Sequence, residues 1–454
     1  MVNIIKLRKG LNINLKGKAK QQKMSLGLST EYALVPDDFV GVTPRVVVRE
    51  GNEVKVGDAL FVDKNFPEVK YASPVSGKVK AIVRGNRRKV MAIVVEASAQ
   101  QEFVDFGKKD ICTLSSSEVI DALLQAGIFG YINQLPYAIA TNPQTMPKAI
   151  FVSAFRNMPL AGKFEFELNG NEEAFQTGLT ALSKIAKTYL SIHVGQSSEI
   201  LLQAKNVEVT AFDGPCPSSN VGVQINHLNP VNKGEVVWTV EPTAVIFIGR
   251  LFMTGKVNLT RTIAVAGSEV ANPQYVDALV GTPLKDILAH QVDEKAAEAG
   301  TLRIINGNPL TGKHCQLNDY LGAHTSEVCV IPEGNDADEF LGWILPRTNQ
   351  YSASHSYFSW LMSKNKEYDI DARIKGGERH LIMSGEYDKV LPMDIYGEYL
   401  IKAMITGDID KQEQLGVYEV APEDFAVAEF VDSSKLELQN IVRKGLDILR
   451  KENA

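Results

Sequence analysis

Glu50-Gly-Asn-Glu-Val-Lys-Val-Gly-Asp-Ala-Leu60, followed by Ser73-Pro-Val-Ser-Gly-Lys-Val79, decides how the N-terminal region folds. Both segments are built on glycine turns, and glycine reverses a chain at positive φ without a Cβ penalty. Short apolar runs rich in β-branched residues flank them: Arg45-Val-Val-Val48, Asp58-Ala-Leu-Phe-Val62 and Met91-Ala-Ile-Val-Val95. Turn signals at Glu50-Gly51-Asn52, Val56-Gly57-Asp58, Ser73-Pro74 and Ser76-Gly77 separate the runs. Strands this short at this spacing predict a compact β-sandwich over residues 40–100.

The same two segments resemble the halves of the biotinyl/lipoyl carrier fold, which carry EGxxVxxGDxL and SPxxGxV. Carrier domains display a modified lysine between the halves, and Lys64 in Asp63-Lys64-Asn65 stands in that interval. The interval here is longer, holds Pro67 and has no Met-Lys-Met. The reading is therefore a structural module with an unmodified Lys64.

Beyond residue 100 the pattern changes. Residues 118–126 read as a helix capped by Gly127. Ala149-Ile-Phe-Val-Ser153 reads as a buried strand. Phe175, Leu179, Leu182, Ala186 and Tyr189 recur at helical spacing over 172–190. Strand-like segments follow at 191–194, 200–202 and 207–212, and Ala244, Val245, Ile248, Leu251 and Phe252 form a helical stripe ending near Gly255. Alternating strands and helices predict an α/β layer. Past it, residues 262–266 and 327–331 are strand candidates and 284–290 a short helix. The chain beyond Pro332 reads as mostly helical, with a capping-box pattern at Ser434 and Glu437.

Arg261-Thr-Ile-Ala-Val-Ala-Gly-Ser-Glu-Val-Ala-Asn-Pro273, followed by Val280-Gly-Thr-Pro-Leu-Lys-Asp-Ile-Leu288, resembles the SLBB module, a ubiquitin-like β-grasp fold. Such modules bind partners more often than they catalyse. Carrier-like β domain, α/β layer, SLBB module and helical tail, in that order, resemble the NADH-binding flavin subunit of respiratory complex I and the C subunit of Rnf complexes. Those relatives hold nucleotide on a GxGGAxFP loop. The matching stretch is Ala126-Gly-Ile-Phe-Gly-Tyr-Ile-Asn-Gln-Leu-Pro136, which keeps Gly127, Gly130 and Pro136 but puts Tyr131, Ile132 and Asn133 where the central glycines stood. Side chains there keep backbone N–H groups away from phosphates. The CxxCxxC run of the cluster-bearing relatives is also missing from the sequence.

One branch of this superfamily matches along nearly the whole chain. Pro147-Lys-Ala-Ile-Phe-Val-Ser-Ala154, Asn157-Met-Pro-Leu160, Cys216-Pro217, His227-Leu-Asn-Pro230, Val237-Trp-Thr239, Ile248-Gly-Arg-Leu-Phe252, Gly342-Trp343, Leu391-Pro-Met-Asp-Ile395, Gly407-Asp-Ile-Asp410 and Gln414-Leu-Gly416 resemble the A subunits of Na+-translocating NADH:quinone reductases. Val221-Gly-Val-Gln-Ile-Asn226 and Asp432-Ser433 depart from the common proteobacterial pattern. The resemblance implies a translocase that oxidises NADH, reduces ubiquinone or menaquinone and exports Na+. It implies that flavins and the iron–sulfur centre sit in other subunits. This chain is then a cofactor-free peripheral subunit, not catalytic alone. By the same resemblance it docks on the membrane-embedded B subunit, one of five partners (B to F), and helps to shape the quinone site. The alternatives are a non-enzymatic SLBB ligand-binding module and an Rnf-type C subunit.

These readings divide the 454 residues into a basic N-terminal arm (1–39), a biotinyl/lipoyl-carrier-like β domain (40–100), a Rossmann-like α/β domain (101–256), an SLBB domain (257–335) and a C-terminal helical domain (336–454). The arm carries Lys6, Arg8, Lys9, Lys16, Lys18, Lys20 and Lys23 and no acid before Glu31, a pattern that reads as a solvated basic face or a contact for anionic headgroups or an acidic partner. A net charge of −6 argues against a general nucleic-acid binder. The opening residues lack an apolar signal region, and no run nears the roughly 20 apolar residues that span a bilayer. The expected place is cytoplasmic, peripheral on the inner face of the cell membrane. Cys112, Cys216, Cys315 and Cys329 are scattered and read as reduced thiols. His193, His227, His290, His314, His324, His355 and His380 make no HxxxH or HExxH pair. Arg84-Gly-Asn-Arg-Arg-Lys89 reads as a charged hairpin turn or a docking patch. The sequence thus nominates no catalytic, cofactor-binding or metal-ligating residue.

Overall fold

The computed structural model describes residues 2–335, 346–363 and 365–453. The β module packs two sheets together. One runs Glu31–Leu34, Val90–Ala97, Gly77–Arg84, Glu53–Val54; the other runs Pro44–Val46, Ala59–Asp63, Lys70–Ala72. Gly51 and Gly57 turn at φ +87° and +100°, as the motif requires. A Cβ on Gly77 would strike the carbonyl oxygen of Glu96 on the neighbouring strand. Alternation along the long strands buries Val79, Ile93 and Val95 between the sheets. Asn86–Arg88 forms the tight turn between the two eight-residue strands, with Arg87 and Arg88 at positive φ.

The α/β layer is a seven-stranded sheet in the order Asn3–Lys6, Glu208–Asp213, Thr188–His193, Ile150–Ser153, Val237–Val240, Ile132–Leu135, Ile139–Ala140. The first five strands are parallel, Ile132–Leu135 runs against them, and Ile139–Ala140 pairs antiparallel with Ile132–Leu135. The helices Glu172–Ile185 and Pro242–Thr254 pack closely because each offers a glycine: a Cβ on Gly178 would strike the Val245 carbonyl, and one on Gly249 the Ala174 carbonyl. Gly255, at φ +73°, ends the second helix.

A fourth sheet, of six strands, runs Lys313–Cys315, Leu302–Asn306, Glu327–Pro332, Thr260–Ala266, Gln274–Leu279, Lys20–Met24, with Leu284–Ile287 as its short helix. The tail contributes Gly397–Thr406 and Leu438–Glu452, which pack through Leu400, Ile401, Leu446 and Leu449.

Several local expectations give way. Residues 1–39 supply one strand to each of three sheets: Asn3–Lys6 beside Glu208–Asp213, Lys20–Met24 beside Gln274–Leu279, and Glu31–Leu34 beside Val90–Ala97. The helix expected over 172–190 stops at Ile185, and Tyr189 lies in the strand Thr188–His193, because Ala186 leaves helical geometry at φ −154°. Residues 200–202 are helical (Glu199–Leu202), since an apolar run this short does not separate helix from strand. Ser434 does not cap Leu438–Glu452; its buried hydroxyl accepts from the Ile382 N–H instead (3.1 Å). The described residues between 346 and 385 are mainly irregular, with one 3-10 segment at Phe358–Leu361. Gly342-Trp343 lies outside the described residues. Among the described residues, no helix is long and apolar enough to cross a membrane.

Candidate functional site: a cavity at the sheet's switch point

In an open parallel sheet, ligands bind outside the carboxyl ends of the strands where the strand order reverses. That point falls here between Ile150–Ser153, whose chain proceeds to Thr188–His193 on one side, and Val237–Val240 on the other. A cavity of about 260 Å³ opens there. The sheet gives Ser153 and, past the strand ends, Arg156 and Glu241; the β-grasp domain covers it with Ser326 and Glu327, and the tail adds Glu423.

Arg156 is fixed. Its guanidinium donates to Glu167 Oε2 through Nη1 and Nη2 (3.2 and 3.1 Å) and to Thr243 Oγ1 (3.2 Å), while the Thr243 hydroxyl donates to Glu167 Oε1 (2.7 Å). Burial disfavours its charge, but Glu167, Glu327 and Glu241 outweigh that and raise its pKa. Glu241 precedes the helix Pro242–Thr254, where the macrodipole favours a carboxylate. Burial raises its pKa, yet His324, Arg261 and Arg156 prevail and hold it below the ordinary range. Its contact to Arg261 Nη2 (3.6 Å) is a charge contact rather than a hydrogen bond, and His324 Nδ1 lies 3.7 Å away. Behind it, Arg261 is fully buried and donates through Nη1 to the Ala323 carbonyl (2.5 Å).

Carboxylates also sit at the second helix that opens on the cavity, Val221–Leu228. Asn220 Nδ2 donates to Asp424 Oδ1 (3.2 Å), and a Cβ on Gly222 would strike Asp424 Oδ2. Burial, and then Glu423 beside it, push Asp424 above the aspartate range; burial likewise raises Glu423, against Arg443. Protein carboxylates thus stand at both helix N-termini that an anionic ligand would otherwise approach. The lining offers carboxylates, hydroxyls and one arginine already engaged, a setting for a neutral polar or cationic group rather than a phosphate.

The loop 126–136 reaches the cavity through Asn133, but its glycine turn is packed. A Cβ on Gly130 would collide with the Tyr71 ring, and one on Gly127 would come within 2.9 Å of the Ala72 nitrogen. Phe39, Phe61, Tyr71 and Tyr131 form an aromatic cluster there, Phe61 and Tyr71 stacked at 4.3 Å and Phe39 edge-on to Tyr131 at 5.4 Å. His324 joins it at 5.5 Å from Phe39. Three of the domains therefore meet on these rings, and the two retained glycines make the approach sterically feasible.

Lys64 is exposed in a turn, with its backbone N–H bonded to the Thr43 carbonyl (2.8 Å). All four cysteines are free thiols, Cys112 exposed and the others buried. Among the described residues, no group of three or more His, Cys, Asp or Glu could hold a metal. Sequence reasoning did not nominate Arg156, Glu241, Arg261 or Glu423. They are far apart in the chain and share no motif, and Arg261 stands in the SLBB segment without a role there; only the strand-end positions of Arg156 and Glu241 hint at a site.

The comparisons follow this domain order. The NqrA N-terminal barrel-sandwich hybrid domain matches residues 5–98, the NqrA second alpha/beta domain residues 114–257, and the NqrA C-terminal domain, of SLBB type, residues 262–316. The A subunit of the Na(+)-translocating NADH-quinone reductase of Neisseria meningitidis serogroup A is 33% identical over 453 residues, covering 99% of this chain and 100% of its own. The chain belongs to the NqrA family. A second NqrA, from Pasteurella multocida, is also 33% identical, over 454 residues and the same shares of the two chains. That from Haemophilus influenzae strain PittGG is 32% identical over 454 residues. Among solved structures, a chain of an NAD+-reducing [NiFe]-hydrogenase aligns over 49% of each chain at 12% identity, with a TM-score of 0.32. As an NqrA, the chain is one subunit of a Na+-translocating NADH–quinone reductase.

Proposed function

We propose that this chain is the peripheral, cofactor-free scaffold subunit of a Na+-translocating NADH–quinone reductase, standing on the cytoplasmic side and docked on the membrane-embedded B subunit. The observation that carries the reading is the full-length match to A subunits, domain after domain, at 33% identity. The packing of the 126–136 loop supports the scaffold part. In nucleotide-binding relatives such a loop leaves its backbone open to phosphate; here Tyr71 and Ala72 lie against Gly130 and Gly127. NADH oxidation and Na+ passage then belong to other subunits, and this chain helps to shape the place where quinone is reduced.

Tagging the chain and solubilising host membranes gently tests the assignment. Integral flavin-bearing subunits and Na+-stimulated quinone reduction in the eluate are expected. An eluate of ferredoxin-linked partners would move the chain to an Rnf-type complex. A photoreactive quinone that labels only other subunits would remove the quinone contribution and leave the scaffold role standing.

A further inference from the structure

Residues 346–366 hold Arg347, Lys364 and Lys366 and no acidic residue, in a chain whose net charge is −6. Within them Phe358–Leu361 forms a single 3-10 turn. Its apolar side chains face outward: Phe358 is 57% exposed, Trp360 49%, Leu361 63% and the following Met362 42%. Four large apolar residues within five positions, all facing water, form more than the scattered single exposures of an ordinary surface. The turn is anchored from behind, because the Tyr368 hydroxyl donates to the Ser359 carbonyl (3.4 Å) and Tyr351 packs edge-on against Tyr368 at 5.3 Å.

Tyr368 also joins this turn to the second acid-free stretch of the chain. It bridges to Leu15, the Lys16 N–H donates to its carbonyl (3.0 Å), and its own N–H donates to the Asn14 carbonyl (2.8 Å). Lys16, Lys18 and Lys20 follow, all three exposed, on the segment that leads into the strand Lys20–Met24. Lys16 reaches Asp369 (3.5 Å); no ion pair is formed by Lys18 or Lys20 among the described residues. Glu367 and Asp369 flank Tyr368, and Arg347, Lys366, Lys16, Lys18 and Lys20 outnumber these two acids.

We infer that the Phe358–Met362 turn and the Lys16–Lys20 segment beside it form a bilayer-contact surface, on which aromatic and aliphatic side chains enter the headgroup region while the lysines meet anionic phospholipid. Trp and Phe favour the interface for their amphipathic or apolar rings, and a basic flank adds electrostatic attraction that salt screens. The inference rests on the peripheral-subunit reading for the choice of membrane, but not for the contact itself. It would orient the chain with the junction of the β-grasp sheet and the 346–385 segment toward the lipid.

The test uses the full-length chain alone and co-sedimentation with vesicles of equal parts phosphatidylglycerol and phosphatidylcholine, against vesicles of phosphatidylcholine only. Binding to the anionic vesicles, weakened by salt, is expected. Lys18→Gln with Lys20→Gln should lower partitioning about fivefold for each charge, and Phe358→Ser with Trp360→Ser should lower it at least as far. All four sites are exposed, and unchanged thermal melting of both variants shows that folding is intact. Equal binding to the two vesicle types, no binding, or variants that bind like the parent overturn the inference. If the chain co-purifies with membrane subunits yet ignores vesicles, the turn is a protein contact and the peripheral-subunit reading survives. If it binds vesicles but recovers no redox subunits, the opposite holds.

Discussion

Arg156 shows how much one residue depends on its partners. Its side chain is 15% exposed and that of Glu167 3%, so the pair is buried and its geometry, not its exposure to solvent, sustains the charge. Removing one member of a buried pair leaves the other desolvated and unpaired. Glu167→Ala is accordingly expected to destabilise the chain by about 3–5 kcal/mol; urea unfolding measures it, and a loss near zero would mean that the cavity already hydrates Arg156. Asp424 makes the opposite kind of prediction. Burial and Glu423 raise its native pKa, so the native chain retains a proton that the unfolded chain releases above its ordinary value of ~3.9. The stability this group contributes is present at and below that value and declines as pH rises from it toward the raised native pKa. Asp424→Asn should flatten this part of the stability–pH profile. A profile that keeps the parent's slope would show that the Asn220 and Ala421 hydrogen bonds, together with the Val221–Leu228 helix N-terminus, already hold the carboxylate ionised.

At the scale of the element, the capping box at the start of Ser116–Gln125 gives a bounded prediction. The Ser115 hydroxyl accepts from the Glu118 N–H and the Glu118 carboxylate from the Ser115 N–H. Ser115→Ala should cost about 1 kcal/mol, read as a lowered denaturation midpoint; no change would place the helix's stability entirely in the packing of Val119 and Leu123. This helix was legible in the sequence, as were the glycine-turn strands and the Gly255 stop, because each is set by neighbours a few residues apart. The pairing of Asn3–Lys6 with Glu208–Asp213 was not legible, since a four-residue edge strand carries no period long enough to read and its partner lies far along the chain. Residues 1–39 looked like an arm for the same reason: basic exposed edge strands have the composition of a solvated tail. The cavity was hidden more deeply. Ser153, Glu241, Glu327 and Glu423 come from three domains and meet only once strand order is known.

For the whole molecule, the N-terminal residues act as a thread through three sheets. Asn3–Lys6 closes one edge of the α/β sheet, Lys20–Met24 closes one edge of the β-grasp sheet, and Glu31–Leu34 closes one edge of the barrel-sandwich module. Between these strands Gly17 runs so close to Gly267 that a Cβ would strike its carbonyl, and Gly10 stands in the same relation to Cys216. Such a thread adds backbone pairing to domains that also meet at the aromatic cluster and the cavity. Deleting residues 2–39 uncovers an edge on each sheet at once, and uncovered edges invite aggregation. The truncated chain is expected to aggregate or to melt at a lower temperature than the parent, read by size-exclusion chromatography and by scanning calorimetry. Charge-neutral substitution at the exposed Lys16, Lys18 and Lys20 should instead leave melting unchanged, because their side chains face solvent. A truncated chain that stays monomeric and melts as the parent does would show that each domain holds its sheet without the thread, and that these residues serve the surface alone.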